Sequence, residues 1–234
     1  MTNTTIHTVQ AAILYILRHA TRARYGELRR PTGLESDVFK YHLKKLMALH
    51  YVVKADDGQY ELTVAGKEFS NRLNEKTGKP IEQPKSSMLI VVVCVEAGVT
   101  YYLAHQRMRE PFRGFWGIAS APLLRGIPAQ ESAARELRKQ AGIEADFEVT
   151  GIYRVIDKNH RGDVLEDKLF SAMYARLDGK VDPRPWAGGV SVWMTRDELL
   201  SQAQLFPITE QVFDMIDGRV TFREAICVYR DDEY

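Results

Sequence analysis

The chain has little cysteine and no long apolar run. It contains two cysteines, Cys94 and Cys227, which are too few for a disulfide framework or a four-cysteine zinc site. The longest apolar stretch, Met88 to Val95, is far shorter than the roughly 20 residues of a membrane-spanning helix. The opening MTNTTIHTVQ lacks a basic segment and an apolar core, so we expect no signal peptide. These absences predict a cytoplasmic protein with reduced thiols.

The net charge is also small, +1 over 234 residues, but it is unevenly distributed. Residues 1–80 hold thirteen Lys and Arg against eight Asp and Glu, a balance of +5, whereas the remainder holds nineteen against twenty-three, a balance of −4. A polar stretch with two prolines, NEKTGKPIEQPKSS, has the composition of a linker. We therefore predict a basic domain at 1–75, a linker at 76–87 and a second domain at 88–234.

The basic domain has helical periodicity and one hairpin signal. Apolar spacing predicts helices at Thr5–Ala20, Tyr25–Arg30, Leu34–His50 and Val64–Leu73. The Asp57-Gly58 pair between short alternating runs predicts a β-hairpin. For the third helix we expect a buried face formed by Val38, His42, Leu43, Leu46 and Leu49.

The segment HLKKLMALHYVVKADDGQYELTVAGKEF, His42 to Phe69, resembles the winged-helix regulators of bacteria and archaea. Their pattern is His-Leu-x-x-Leu, a helix stop, an aliphatic strand, a turn and Tyr-x-Leu-Thr-x-x-Gly. His50 stands where the family usually has Gly at the helix stop, and His tolerates positive φ better than most residues. The resemblance implies a winged helix-turn-helix whose second motif helix enters the major groove of double-stranded DNA.

Carried over by position, this resemblance assigns two groups of DNA contacts. The base-edge group is Ser36, Asp37, Lys40 and Tyr41, and the phosphate group is Lys44, Lys45 and Lys54. The alternative is a solvated basic face that contacts another protein. Because a charge of +5 predicts modest affinity, we expect a homodimer on a two-fold related site, with Ile6–His19 as interface or core.

The second domain alternates strands and helices. We expect strands at Ser87–Ala97, Val99–Gln106, Phe147–Val155, Lys168–Arg176 and Val190–Met194, and helices at Pro128–Gln140, Arg196–Ala203 and Ile208–Asp217. The spacing of Thr195 and Glu198 predicts a capping box. The tail Val220–Tyr229 is either a further strand or a docking arm.

Within this domain, WGIASAPLLRGIPAQESAARELRKQAGI, Trp116 to Ile143, resembles the Nudix box, Gly-x5-Glu-x7-Arg-Glu-U-x-Glu-Glu-x-Gly-U, where U is aliphatic. The matches include Gly126, Arg135-Glu136-Leu137 and Gly142-Ile143. The departures are Ala121 for the first glycine, Ile127 for the first glutamate, and Lys139-Gln140 for the Glu-Glu pair. The resemblance implies an α/β/α sandwich with a mixed sheet, and thus an α+β protein of two domains.

The departures fall on the residues that hold Mg²⁺ or Mn²⁺ in the Nudix family. A hard divalent cation needs several carboxylate oxygens, and positions 136, 139 and 140 share one helix face. We expect Lys139 to place its ammonium beside Glu136 and repel a metal. The sequence therefore predicts no metal, no cofactor and no catalytic residues. An ordinary amphipathic helix with a Glu131–Arg135 surface pair is the alternative.

A cleft without metal can still bind a ligand. The expected ligand contacts are Arg107, Arg113, Trp116, Arg135 and Glu136, with Phe112 and Phe115 weighed as base-stacking or core residues. Together the halves predict a DNA-binding regulator that senses a nucleotide-like or sugar-nucleotide effector. Two alternatives remain: a hydrolase that recruits metal through Glu136, Glu131 or Glu144, and a Nudix-like domain that serves as a dimerisation or adaptor module. His160 is expected in an exposed loop.

Overall fold

The chain divides into two compact units, Met1–Glu82 and Gln83–Tyr234, here called the first and second units. The computed structural model describes residues 6–74, 77–218 and 220–234. The division between the units lies inside the predicted linker 76–87. Thr5 of the predicted first helix and positions 75 and 76 of that region lie outside the described residues.

The first unit is a helical domain with a small antiparallel sheet in the order β1-β3-β2. β2 and β3 form the predicted hairpin, and Gly58 takes the positive φ of +80° that the turn requires. This order of helices and hairpin agrees with the order that the winged-helix resemblance implies. Its elements are α1 (Thr8–Ala20), β1 (Arg22–Ala23), α2 (Tyr25–Arg29), a 3-10 turn (Arg30–Thr32), α3 (Ser36–Ala48), β2 (Val52–Lys54), β3 (Tyr60–Leu62) and α4 (Val64–Ser70).

The buried face of α3 differs from the predicted one at both ends. Val38 and Leu49 are exposed by 49% and 42%, whereas Phe39 is fully buried. The buried positions Phe39, His42, Leu43 and Leu46 follow the i, i+3, i+4, i+7 spacing of one helical stripe. Val38 lies one residue off that stripe, so its exposure follows from helix geometry.

Helix α1 belongs mainly to the core of the first unit. Ile13, Leu14 and Leu17 are buried and pack with the apolar face of α3. The exposed remainder includes Tyr15, at 45%. The apolar stripe of Ile6–His19 is therefore occupied within the unit, and only its outer side is available to a dimer partner.

The end of α3 shows how His50 replaces the glycine that is usual at this helix stop. His50 has φ +57°, its amide donates to the Met47 carbonyl at 2.9 Å, and the Tyr51 amide donates to the Leu46 carbonyl at 3.0 Å. These two bonds are the Schellman motif, whose left-handed residue is usually glycine. The chain thus leaves α3 in the expected geometry with a histidine in the glycine position.

Gly66 is the last residue of the Tyr-x-Leu-Thr-x-x-Gly pattern, and its surroundings show why a glycine is needed there. Thr63 caps α4 by accepting a hydrogen bond from the Gly66 amide at 3.0 Å. A Cβ built on Gly66 would lie 1.9 Å from the backbone oxygen of Tyr51. Only glycine lets α4 approach the strand after α3 this closely.

Part of the predicted linker packs back onto the first unit. Leu73 and Pro80 form an isolated β-bridge, and the Ile81 amide donates to the Arg72 carbonyl at 2.8 Å. At the other end, the first strand of the second unit already begins at Lys85.

The second unit is built on one mixed sheet of seven strands in the order β10-β7-β8-β4-β6-β5-β9. Strands β8 and β4, and strands β10 and β7, pair in parallel, and the other neighbours are antiparallel. The elements are β4 (Lys85–Glu96), β5 (Val99–Arg107), β6 (Trp116–Pro122), α5 (Ala129–Ala141), β7 (Glu148–Asn159), β8 (Val164–Leu177), β9 (Gly189–Met194), α6 (Arg196–Leu200), α7 (Thr209–Ile216) and β10 (Phe222–Tyr229).

Two apolar clusters place helices on both faces of this sheet. On one face, Ala133 and Leu137 of α5 pack with β4 residues such as Ile90. On the other, Val212 and Phe213 of α7 join Leu199 of α6 and further sheet residues. The central strand β4 is buried on both faces, as its unbroken apolar sequence predicts. The result is the α/β/α sandwich that the box resemblance implied.

The end of the chain resolves one open alternative. Residues 222–229 form β10, which pairs in parallel with β7 at the edge of the sheet. The tail is therefore a strand of the sandwich. The predicted capping box is also present, with Thr195 and Glu198 bonding reciprocally at the start of α6. None of the helices within residues 6–74, 77–218 and 220–234 has the length and apolar character needed to cross a bilayer.

Candidate functional site

The box helix α5 brings three of its own side chains together. Glu136 is 9% exposed, and the Lys139 ammonium lies 3.1 Å from its Oε2 and 3.3 Å from its Oε1. Gln140 Nε2 donates to the same Oε2 at 3.3 Å and to the Ser120 carbonyl at 3.5 Å. The expected contact between Lys139 and Glu136 is therefore present. Glu136 is the charged ligand that this group offers a divalent cation, and its carboxylate already pairs with the Lys139 ammonium. This arrangement disfavours metal binding.

Trp186 lies beside this group of side chains, a position that no sequence pattern predicted. Its ring centroid lies 5.6 Å from the Lys139 ammonium and 5.7 Å from the Arg109 guanidinium. A Cβ on Gly188 would lie 2.2 Å from the indole ring, so this glycine makes room for the tryptophan. Both cations are within the distance of a favourable cation–π contact with the indole ring, and their charge opposes the binding of a metal ion nearby. The signal in the sequence was the pair Gly188-Gly189, which follows Trp186 after one alanine.

His105 completes this surface beneath Trp186. The two rings are 6.4 Å apart, and His105 Nδ1 lies 3.3 Å from the Ser191 hydroxyl. Burial, reinforced by Arg107 and Arg109, lowers the pKa of His105 to about 4. This imidazole is therefore neutral at neutral pH.

The other glutamates of the hydrolase alternative are engaged elsewhere. Glu131 pairs with Arg135 at 2.5 Å, and Glu144 pairs with Arg138 at 3.0 Å. Both carboxylates are at least half exposed. Among the residues that the structure describes, no group of three or more His, Cys, Asp and Glu side chains is arranged to hold a metal.

A cavity of about 210 Å³ lies on the opposite face of the sheet, below the start of α7. Its floor is apolar and includes Ile118, Val155 and Phe170. Ser120 belongs to its wall, and the carbonyl of that residue accepts the Gln140 bond from the box helix. Strand β6 therefore connects the box helix to the cavity. The charged lining residues are Lys85, Arg107, Arg109, Asp157, Glu166 and Lys168.

Four of these charged side chains form an ion-pair network. Lys168 lies 2.7 Å from Asp157 and 2.8 Å from Glu166, and Lys85 lies 2.7 Å from Glu166. Burial raises the pKa of Asp157, although Lys168 opposes that effect. Burial acts against ionised Glu166 as well, but hydrogen bonds from Lys168 and Lys85 hold its pKa below the usual value. No sequence pattern identifies these residues as a network, because cross-strand partners depend on the register of the strands.

Of the predicted ligand contacts, Arg107 lines the cavity. Its Nε donates to the carbonyls of Pro111 and Arg109, and its Nη2 donates to the Glu110 carbonyl. Arg107 therefore also shapes the loop at the cavity mouth. Phe112 lines the cavity and is 2% exposed. This position is compatible with stacking on a base and with packing in the core.

The other predicted ligand contacts lie outside this lining. Arg113 donates to the Met108 carbonyl at 2.6 Å. Trp116 packs beside the core, with its strand bridged to Leu205. Arg135 and Glu136 belong to α5, where Arg135 pairs with Glu131 rather than with Glu136.

In the first unit, the predicted DNA contacts are all exposed. Asp37, Lys40, Tyr41 and Lys44 follow helical spacing along the outer side of α3. Lys45 lies 4.9 Å from the Tyr41 ring, and Lys54 lies on the wing, 5.8 Å from the Tyr60 ring. Ser36 is held by the Tyr25 hydroxyl, which donates to its carbonyl at 2.8 Å.

Comparison with known proteins relates the two units to different groups. A family model described as "Domain of unknown function (DUF7347)" matches residues 5–73. No curated protein matches the chain. The Nudix domain of NrtR from Shewanella oneidensis, solved in complex with ADP-ribose, superposes with a TM-score of 0.52 at 16% identity, covering 68% of this chain and 99% of that one.

The second unit has the Nudix fold. The mixed sheet, the box helix on one face and the later helices on the other agree with that superposition. A MutT Nudix hydrolase from Burkholderia pseudomallei is also similar, with a TM-score of 0.47, 21% identity, and coverage of 58% of this chain and 99% of that chain. At these identities the likeness concerns the fold of this Nudix-like unit alone.

Proposed function

We propose that this protein is a DNA-binding transcriptional regulator whose Nudix-like unit senses a nucleotide-like or sugar-nucleotide metabolite and does not hydrolyse it. The observation that carries this proposal is the Lys139 ammonium, 3.1 Å from Glu136 Oε2, where the box resemblance implies metal. With Gln140 as its other neighbour, Glu136 has lost the carboxylate partners that Mg²⁺ chemistry requires.

The DNA-binding part rests on the first unit. Its recognition helix α3 exposes Lys40, Lys44 and Lys45 on the side that a winged helix presents to the major groove. The excess charge of residues 1–80, +5, supplies an attraction to phosphate that does not depend on sequence. We propose that a homodimer binds a two-fold related site in the cytoplasm, which would add the contacts of two such helices.

The DNA-binding proposal is tested by selecting ligands from a random duplex pool with the full chain, followed by band-shift titrations. Lys40→Ala and Lys44→Ala should each weaken binding about tenfold, and loss of a phosphate contact should reduce the salt slope by about one. Lys67→Ala is the matched control, because Lys67 is an exposed lysine on α4. Equal effects of all three changes would show that α3 is not the reading helix.

The sensing proposal is tested with ADP-ribose, the ligand named for the NrtR structure. Calorimetry should show binding to the full chain without a divalent cation. A phosphate-release assay with Mg²⁺ or Mn²⁺ should show no turnover. Turnover that Glu136→Gln abolishes would instead establish the hydrolase alternative. Binding of neither ADP-ribose nor any nucleotide sugar would leave the adaptor role as the better account of this unit.

A further inference from the structure

The cavity wall of the Nudix-like unit contains an unusual arrangement of charge. In the sheet register, Asp157 of β7 lies directly opposite Glu166 of β8, and Lys168 of β8 lies directly opposite Lys85 of β4. Like charges in directly opposed cross-strand positions are destabilising. The network offsets this through diagonal pairs between strands, Asp157 with Lys168 and Glu166 with Lys85, and through the pair of Lys168 with Glu166 along β8.

Such a network has a cost that an apolar wall would avoid. Buried ion pairs are often replaceable by packed hydrophobic residues without loss of stability. Here Asp157 is 1% exposed, and Val155 and Phe170 of the same two strands already provide apolar neighbours in the cavity. The charges at this position therefore favour a role in recognising a polar group.

Among the residues that the structure describes, none donates a hydrogen bond to one oxygen of the network. Lys168 pairs with Asp157 through Oδ2, and the buried Oδ1 is the oxygen without such a donor. A buried acceptor without a hydrogen bond destabilises the folded protein unless a ligand or solvent satisfies it. A register shift between β7 and β8 falls at Asp157 and Lys158. Such bulges often re-aim a side chain next to a functional site.

The net charge of the lining residues and the volume of the cavity indicate the charge and size of the ligand that would fit. Four cations and two carboxylates line the cavity, which gives a balance of +2. Lys85, at 65% exposure of its side chain, reaches solvent from this wall. A volume of about 210 Å³ is smaller than the roughly 300–1,000 Å³ typical for a whole drug-sized ligand. The cavity suits one ring of a larger anionic molecule.

We propose that this cavity binds one ring-sized group of an anionic metabolite, and that Asp157 Oδ1 accepts a hydrogen bond from an N–H or O–H of that group. The inference rests on the proposed sensing function and names the chemistry of its ligand. Two sources supply the donor: an exocyclic amine of a nucleobase or a hydroxyl of a sugar. The anionic remainder lies towards Lys85.

The test is calorimetry on the full chain with four probes: ADP-ribose, adenosine 5′-monophosphate, inosine 5′-monophosphate and ribose 5-phosphate. Asp157→Ala should weaken binding at least about tenfold for each probe whose hydrogen-bond donor reaches Oδ1 in the unaltered protein. Asp167→Ala is the matched control and should leave affinity unchanged, because Asp167 alternates with Glu166 and Lys168 along β8 and pairs with Arg154 instead.

The probes separate the two donor sources. If the donor is the base amine, the adenosine nucleotide binds more tightly than the inosine nucleotide, whose base has a carbonyl there, and Asp157→Ala removes that preference. If the donor is a sugar hydroxyl, ribose 5-phosphate binds, the two nucleotides bind alike, and the same variant weakens all three.

Folding of the variants is checked by tryptophan fluorescence and circular dichroism. Lys168 retains Glu166 at 2.8 Å when Asp157 is replaced, so we expect Asp157→Ala to fold. The double variant Asp157→Leu/Lys168→Met removes the ion pair as a whole and should show the same loss of affinity. Unchanged affinity in both folded variants overturns this inference while leaving the sensing function standing. Absence of binding by all four probes in the unaltered protein overturns the ligand class itself, and DNA binding is scored separately.

Discussion

His50 has a side chain although its backbone adopts a conformation that favours glycine. Its φ of +57° is a conformation that costs a non-glycine residue on the order of 1 kcal/mol, and glycine adopts it freely. His50→Gly should therefore stabilise the first unit by about 0.5–1 kcal/mol, measured by hydrogen exchange of the α3 and α4 amides. Leu49→Gly is the control, because Leu49 has φ −79°, and it should lose protection. A gain from Leu49→Gly or a loss from His50→Gly would contradict the strain argument.

His105 gives the second unit a defined acid sensitivity. Burial, with Arg107 and Arg109 nearby, lowers its pKa from 6.5 to about 4. Below pH 6.5 the unfolded chain takes up a proton that the folded unit excludes, so stability present above 6.5 is lost as pH falls towards 4. The full effect is on the order of 3 kcal/mol.

This acid sensitivity is measured by urea unfolding between pH 7 and 4, followed by tryptophan fluorescence. Trp116, Trp186 and Trp193 account for all three tryptophans of the chain and lie in the second unit, so the signal reports that unit. His105→Gln should flatten the pH dependence relative to the unaltered protein. His160→Gln, which removes an exposed histidine from the same unit, is the control. Parallel pH curves for His105→Gln and the unaltered protein would exclude His105 as the source.

At the scale of elements, the box helix α5 allows a test of whether the missing carboxylates account for the proposed lack of metal binding. Ile127→Glu/Lys139→Glu/Gln140→Glu restores the carboxylates of the family pattern around Glu136. Without metal, these like charges should destabilise the second unit, because Glu136 and position 140 are buried. Mn²⁺ should then raise the melting temperature of the variant and leave that of the unaltered protein unchanged.

The control for this variant is Arg138→Glu. It makes the same change of charge as Lys139→Glu on the same helix, but Arg138 is exposed and pairs with Glu144. Stabilisation of Arg138→Glu by Mn²⁺ would show that added surface charge suffices. A restored box without any response to Mn²⁺ would show that Trp186 closes the site regardless of its carboxylates.

The elements also show which parts of the structure local sequence can predict. The helix α5 and the capping box at Thr195 follow from contiguous residues, and both are present where expected. The Asp157–Lys168 pair depends on which strands are neighbours and in what register, and periodicity alone does not contain this information. The same holds for Trp186, which reaches the box helix from a distant loop.

For the whole molecule, the proposed function predicts a reciprocal coupling. In the proposed function the basic first unit binds DNA and the Nudix-like second unit binds a metabolite, and a regulator requires that one binding event change the other. If ADP-ribose changes operator affinity by a given factor, the operator must change ADP-ribose affinity by the same factor. A tenfold effect corresponds to about 1.4 kcal/mol of coupling.

We expect both factors to be at least about five, within the usual range for allosteric coupling. Band-shift titrations with and without saturating ADP-ribose give the first factor, and calorimetry with and without the selected duplex gives the second. Lys40→Ala/Lys44→Ala should bind the duplex about a hundredfold more weakly, so at a duplex concentration that saturates the unaltered protein it must lose the effect of duplex on ADP-ribose affinity. Two factors equal to one, in a protein that binds both ligands, would mean that the units act independently and that the ligand does not regulate DNA binding. Unequal factors would mean that one assay measures a different equilibrium, such as dimerisation, which sedimentation at the same concentrations would reveal.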